Sequence, residues 1–159
     1  MEREVESVAV TEIGKRATVA CPFCATLNRV DLARIVDRPR CGNCGRPILL
    51  DRPIPVTDAT IDGVIAGTDV PVVMDCYADW CGPCKIMAPV LDDLARDRQG
   101  DVLVTKLDTD RNQATARRFD IRAIPTLLVF RNGQEVGRHA GAIPRQQLDA
   151  LLGSSINRP

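Results

Sequence analysis

Between residues 54 and 152 the spacing of apolar positions switches repeatedly between two periods. Val72-Val73-Met74-Asp75-Cys76-Tyr77 is apolar except for Asp75, the pattern of a strand buried on both faces. Directly after it, Ile86, Met87, Val90, Leu91 and Leu94 recur at helical spacing. On this basis strands are predicted at Ile54–Val56, Val70–Tyr77, Val102–Leu107, Thr126–Arg131 and Gln134–Ala140. Helices are predicted at Asp58–Ala66, Cys81–Arg98, Asn112–Phe119 and Pro144–Leu152, with Pro89 expected to kink the second. Asn132-Gly133 is a strong hairpin signal between the last two strands. Strands alternating with helices and closing in a hairpin predict an α/β fold, a mixed sheet with helices on both faces.

Residues 1–50 do not follow this pattern. Residues 1–16 are rich in charge and are read as a mobile extension with a short strand at Ser7–Thr11. In residues 17–50, Cys21-Pro22-Phe23-Cys24 and Cys41-Gly42-Asn43-Cys44 stand sixteen residues apart, the spacing of a four-cysteine zinc ribbon. So short a unit buries too little apolar surface to fold alone, which gives a metal a physical role. Gly42 and Gly45 are expected to supply positive φ to the knuckle turns. Two local disulfides or a second redox pair are the competing readings. Asp51–Pro55 is a proline-containing connector, so residues 51–159 form a second unit, expected to own an independent core.

Composition narrows the function classes. Formal net charge is zero among 159 residues, which argues against a nucleic-acid or anionic-membrane binder. No stretch reaches the eighteen or so apolar residues of a membrane span. The charged start Met1-Glu2-Arg3-Glu4 lacks the apolar run of a secretory signal. Six of the seven cysteines fall into C-x-x-C pairs, a usage that fits reduced, metal-binding or catalytic thiols in the cytoplasm. A monomer is expected.

The third pair, Cys81-Gly82-Pro83-Cys84, lies where a buried strand turns into a helix, the context of a redox dithiol. Unsatisfied N–H groups and the helix dipole there favour a thiolate on Cys81. Cys84, one turn deeper, is expected to be shielded while Cys81 is exposed. Pro83 suits a first turn, where its missing N–H has no intrahelical partner to lose. Trp80 is expected to cover the dithiol and offer a flat apolar contact.

Trp80-Cys81-Gly82-Pro83-Cys84-Lys85 resembles the thioredoxin active-site signature. Asp75 stands where that family keeps a buried acid, Lys106 where it keeps a lysine neighbour, Ile124-Pro125-Thr126 at its cis-proline loop, and Gly141 at its late glycine. With the ribbon in front, the chain resembles the zinc-containing bacterial thioredoxins. Cys76 departs from an aromatic residue usual at its position.

The resemblance implies a thioredoxin fold preceded by a zinc ribbon, and a protein disulfide reductase. Cys81 would attack, Cys84 resolve, and Asp75 accept the Cys84 proton, with Lys106 beside it. Trp80, Gly82, Pro83, Ile124, Pro125 and Gly141 would border the substrate groove. One structural Zn2+ on Cys21, Cys24, Cys41 and Cys44 is implied, and thioredoxin reductase and protein disulfides as partners. The chain lacks a Gly-rich nucleotide fingerprint, so flavin and nicotinamide are expected to stay with the reductase. The alternative is a redox sensor or binding module whose zinc leaves on oxidation. Cys76 reads as a small apolar strand residue, His139 as a strand or surface residue, and Phe119 and Phe130 as core.

Overall fold

The computed structural model describes residues 14–156; the strand expected at Ser7–Thr11 lies outside them. Arg16, assigned by the sequence to the extension, instead opens the first strand. β1 (Arg16–Ala20) and β2 (Leu27–Asp31) form an antiparallel hairpin, followed by a 3-10 helix at Leu32–Asp37. Its start is capped by Asp31, whose carboxylate accepts the Ala33 amide at 3.0 Å.

A second sheet follows in the order β3-β5-β4-β6-β7, from β3 (Ile54–Pro55), β4 (Val72–Tyr77), β5 (Leu103–Asp108), β6 (Thr126–Arg131) and β7 (Gln134–Ala140). β3, β4 and β5 are parallel, β6 runs antiparallel to β4, and β7 runs antiparallel to β6. The helices are α1 (Ile61–Ala66), α2 (Gly82–Asp97), α3 (Gln113–Arg118) and α4 (Arg145–Ile156). This is the mixed sheet the pattern predicts. α2 runs unbroken through Pro89. α1 starts three residues later than predicted, because Asp58 is used elsewhere: its carboxylate accepts the Thr115 amide and hydroxyl at 2.8 and 2.6 Å.

The pleat sorts the central strand onto two cores. Val72, Met74 and Cys76 face one, and Val73 faces the other together with Met87, Leu91 and Leu94 of α2 and Leu148 and Leu152 of α4. Asp75, two residues from Val73, therefore projects beneath α2. Phe119 and Phe130 meet edge-to-face, centroids 5.3 Å apart.

The first core does not stop at residue 51. Ala17, Val19, Val30, Ile48 and Leu50 lie in one buried cluster with Ile61, Val64 and Ile65 of α1 and Met74 of β4. The expectation of an independent core in residues 51–159 is therefore corrected. β1 packs on α1, whose apolar Ile61, Val64 and Ile65 are buried. Close approach is permitted at two glycines: a Cβ on Gly63 would lie 2.6 Å from Leu27 Cδ1, and one on Gly67 would collide with the Thr18 side chain.

Candidate functional site

The two cysteine knuckles have matching backbone geometry. In the first, the Ala25 amide donates to Cys21 O at 2.8 Å and the Cys21 amide to Thr26 O at 2.9 Å. In the second, Gly45 donates to Cys41 O at 3.0 Å and Cys41 to Arg46 O at 2.8 Å. The positive φ falls on Ala25 (63°) and Gly45 (77°). Gly42, expected to need it, does not, and a Cβ there would meet only Asn28 Oδ1 at 3.8 Å.

The turns bring the Sγ atoms of Cys21, Cys24, Cys41 and Cys44 within 4.8 Å of one another. Cys21–Cys44 and Cys24–Cys41 are each 3.6 Å apart. Four sulfurs at 2.3 Å from one tetrahedral Zn2+ would stand about 3.8 Å apart, so the donor set fits that ion. The Asn43 amide donates to Cys41 Sγ at 3.4 Å, and hydrogen bonding with Thr26 draws the Cys24 thiol down to about 6. Both favour thiolates, the form that binds metal, at Cys24 and Cys41; at Cys44 a backbone hydrogen bond from Arg46 pulls the thiol down, but burial and the neighbouring cysteines push it up to about 11. The four cysteines are thus positioned to bind a metal.

The third pair occupies the β4–α2 corner, joined as a disulfide with Cα atoms 5.3 Å apart. Cys81 is the N-cap of α2, and its Sγ accepts the Cys84 amide at 3.2 Å. That donor, with the helix end, would stabilise a sulfur anion once the bond is reduced. The expected contrast between an exposed Cys81 and a shielded Cys84 is absent: each is 4% exposed. Their surroundings differ instead. Cys81 Sγ lies 3.8 Å from the Ile124 carbonyl, whereas Cys84 lines a cavity of about 200 Å³.

Asp75, Tyr77, Asp79, Lys85 and Lys106 line that cavity with Cys84. Asp75 is 5% exposed, and its Oδ1 has no hydrogen-bond partner among the described residues. Burial pushes its carboxyl up to about 7, against a smaller downward pull from Lys106. Lys106 is its register partner on β5, and the pleat sets both on the α2 side of the sheet.

The outer rim is built from separate segments. The Ile124–Pro125 peptide is cis. Gly141, at φ 100°, donates its amide to Pro125 O at 2.7 Å, and a Cβ there would meet nothing within 4 Å. Ile124 packs against Ala78, Cys81 and Cys84. Trp80 is 71% exposed, and its indole N–H donates to Asp110 Oδ2 at 2.9 Å. Gly82 and Pro83 form the first turn of α2. Cys76 and His139 join neither site. Cys76 is fully buried on the opposite face of β4, and burial pushes its thiol up to about 12.

Sequence reasoning missed Asp110, the Trp80 partner, and Tyr77, which packs on the dithiol and carries the Lys106 ammonium 5.9 Å above its ring centroid. Asp110 lies in an acid-rich loop with no pattern to single it out. Tyr77 ends a strand and reads as an ordinary β-former.

A helix-capping dithiol under a cis-proline loop, on a mixed five-stranded sheet, defines a thiol–disulfide oxidoreductase. Comparisons agree. The family model described as thioredoxin matches residues 52–154, and that described as thioredoxin 2, N-terminal, matches residues 20–46. The chain belongs to the thioredoxin family. It is 45% identical over 101 residues to a thioredoxin of Haemophilus influenzae, covering 64% of this chain and 94% of that one. Thioredoxin C-3 of Corynebacterium nephridii is 33% identical over 140 residues, covering 88% and 96%. A mutant thioredoxin from Halobacterium salinarum superposes with a TM-score of 0.62 at 36% identity, covering 70% of this chain and 97% of that one.

Proposed function

We propose that the chain reduces protein disulfides through Cys81 and Cys84 and is returned to the dithiol by a thioredoxin reductase. The observation that carries this reading is the asymmetry of the pair, with Cys81 at the helix cap near the Ile124 carbonyl and Cys84 lining the cavity that Asp75 also lines. The Cys81 thiolate attacks one sulfur of a substrate disulfide, forming a mixed disulfide and expelling the other sulfur as thiolate. Cys84, deprotonated, then attacks Cys81 Sγ and releases the second substrate thiol. Two electrons have passed to the substrate, and the protein holds the Cys81–Cys84 disulfide.

Asp75 takes the Cys84 proton. A carboxyl held near 7 exchanges protons with a thiol far more readily than one near 4. Lys106 keeps the carboxylate accessible by offsetting part of its desolvation. Trp80, Gly82, Pro83, Ile124, Pro125 and Gly141 form the surface on which an extended substrate segment lies, with the open face at Gly141 leaving room for its main chain. Flavin and NADPH belong to the reductase.

Residues 17–50 form the zinc ribbon and 51–159 the thioredoxin domain. One Zn2+ would be held by Cys21, Cys24, Cys41 and Cys44, and it supplies structure by crosslinking two knuckles too small to hold themselves. The reduced dithiol suits the cytoplasm, and the chain works as a monomer. The test is NADPH oxidation in a mixture of this protein, a bacterial thioredoxin reductase and insulin. Consumption that depends on all three supports the reading. Absence of turnover with a reduced, folded protein overturns it.

A further inference from the structure

One contact in the cavity beneath the dithiol is not used by that scheme. Lys106 Nζ sits over the Tyr77 ring, 5.9 Å from its centroid, within the range of a cation–π attraction. Both side chains are half-buried and line the same cavity as Asp75 and Cys84. Lys106 does not bond to Asp75 Oδ1, which has no partner among the described residues. Yet the two residues are directly paired across β4 and β5. A lysine stem is long and flexible, so something other than the backbone sets where its ammonium rests.

We propose that Tyr77 is a positioning residue for the proton step, holding the Lys106 ammonium at the cavity wall within Coulomb reach of the Asp75 carboxyl but not in contact with it. The inference rests on Asp75 being the group that takes the Cys84 proton. A direct ion pair would lock Asp75 as a carboxylate, and an ammonium out in water would leave it without electrostatic support. The ring fixes a position between these extremes. Burial raises the Tyr77 hydroxyl, with Asp108 and Asp79 adding to the effect, so the ring stays neutral over the working range.

The charged and titratable groups facing Asp75 are few. β5 contributes Lys106; α2 contributes Cys84 and Lys85; β4 and the turn after it contribute Tyr77 and Asp79, while the Cys76 thiol lies on the other face of β4. Opposite Asp75, β6 offers only Leu127.

The experiment follows the Asp75 carboxyl carbon by NMR across pH in the full-length oxidised protein, where Cys81 and Cys84 do not titrate. Tyr77→Leu should raise its midpoint by about one pH unit, as Lys106→Met should, because each removes the ammonium's field. Tyr77→Phe keeps the ring face and should stay within about 0.3 of the parent. Tyr77→Leu added to Lys106→Met should shift nothing further. An unmoved or lowered midpoint in Tyr77→Leu overturns the proposal, and so does an equal rise in Tyr77→Phe or a full shift in the Lys106→Met background. Tyr77→Met replaces Tyr77→Leu if the latter does not fold. A separate readout, the resolving rate of Asp75→Asn, shows whether the proton-acceptor assignment itself has failed.

Discussion

Thr18 and Gly67 meet across the junction of the cysteine hairpin and the larger sheet. Thr18 Oγ1 donates to the Gly67 carbonyl at 3.1 Å, while the Thr18 amide donates to Thr68 Oγ1 at 3.1 Å. Arg16 extends the seam, its amide donating to the Asp69 carboxylate at 2.8 Å and its carbonyl accepting the Asp69 amide at 2.8 Å. The ribbon thus closes one of the two cores instead of hanging from it.

That seam sets the cost of disturbing it. Gly67→Ala should destabilise the protein by about 1–3 kcal/mol, since a Cβ there meets the Thr18 side chain and the Gly63 carbonyl, the latter at 2.9 Å. Gly63→Ala should cost less, because its nearest obstacle is the end of the flexible Leu27 side chain. Deleting residues 1–50 should cost more than either, by uncovering part of the Ile61, Val64 and Ile65 face, each such side chain contributing roughly 1.5–3 kcal/mol when fully buried. Denaturant midpoints of the three variants test this order; an unchanged midpoint in the deletion would refute the shared core.

Metal analysis tests the ribbon centre. The reduced protein should carry one zinc, lost in Cys21→Ser combined with Cys44→Ser and retained in Cys81→Ser. Because the ribbon seals a core, zinc removal by a chelator should also lower the denaturant midpoint of the whole chain. Stoichiometric zinc in the double variant would reject the ligand set.

Asp75 makes a pH-dependent prediction with a definite sign. Its folded value, about 7, lies above the unfolded value of about 3.9, so the folded state binds the proton more tightly. Stability is therefore lost as pH rises from about 4 to about 7 and stays low above that. Ionising the buried carboxyl costs roughly 4 kcal/mol at about pH 8, an upper estimate. Asp75→Asn should accordingly raise the denaturant midpoint at about pH 8, raise it far less at about pH 4, and slow resolution of the mixed disulfide. A midpoint lowered at about pH 8 would mean that the carboxylate is stabilising.

Much of this was legible because local signals and tertiary structure agree. Asn132-Gly133 fixes a two-residue turn, so β6 and β7 have the bounds read from the sequence. Strand alternation alone places Asp75 on the face opposite Cys76. What stayed hidden depends on contacts distant in sequence. Asp58 looks like a helix start but bonds to Thr115, 57 residues away, and Thr18 and Gly67 carry no pattern that pairs them. The equal burial of Cys81 and Cys84 was hidden too, because it is set by Ile124 and Ala78 around the closed disulfide, not by position along α2.

The central claim is that Cys81 attacks and Cys84 resolves. The most direct test is mass mapping of the adduct formed when Cys84→Ser meets a disulfide-containing protein such as insulin. The account predicts a stable mixed disulfide on Cys81, absent from the parent protein because Cys84 clears it. No such adduct on Cys81→Ser should form at a comparable rate. Trapping through Cys84 in Cys81→Ser, with none through Cys81 in Cys84→Ser, would contradict the assignment.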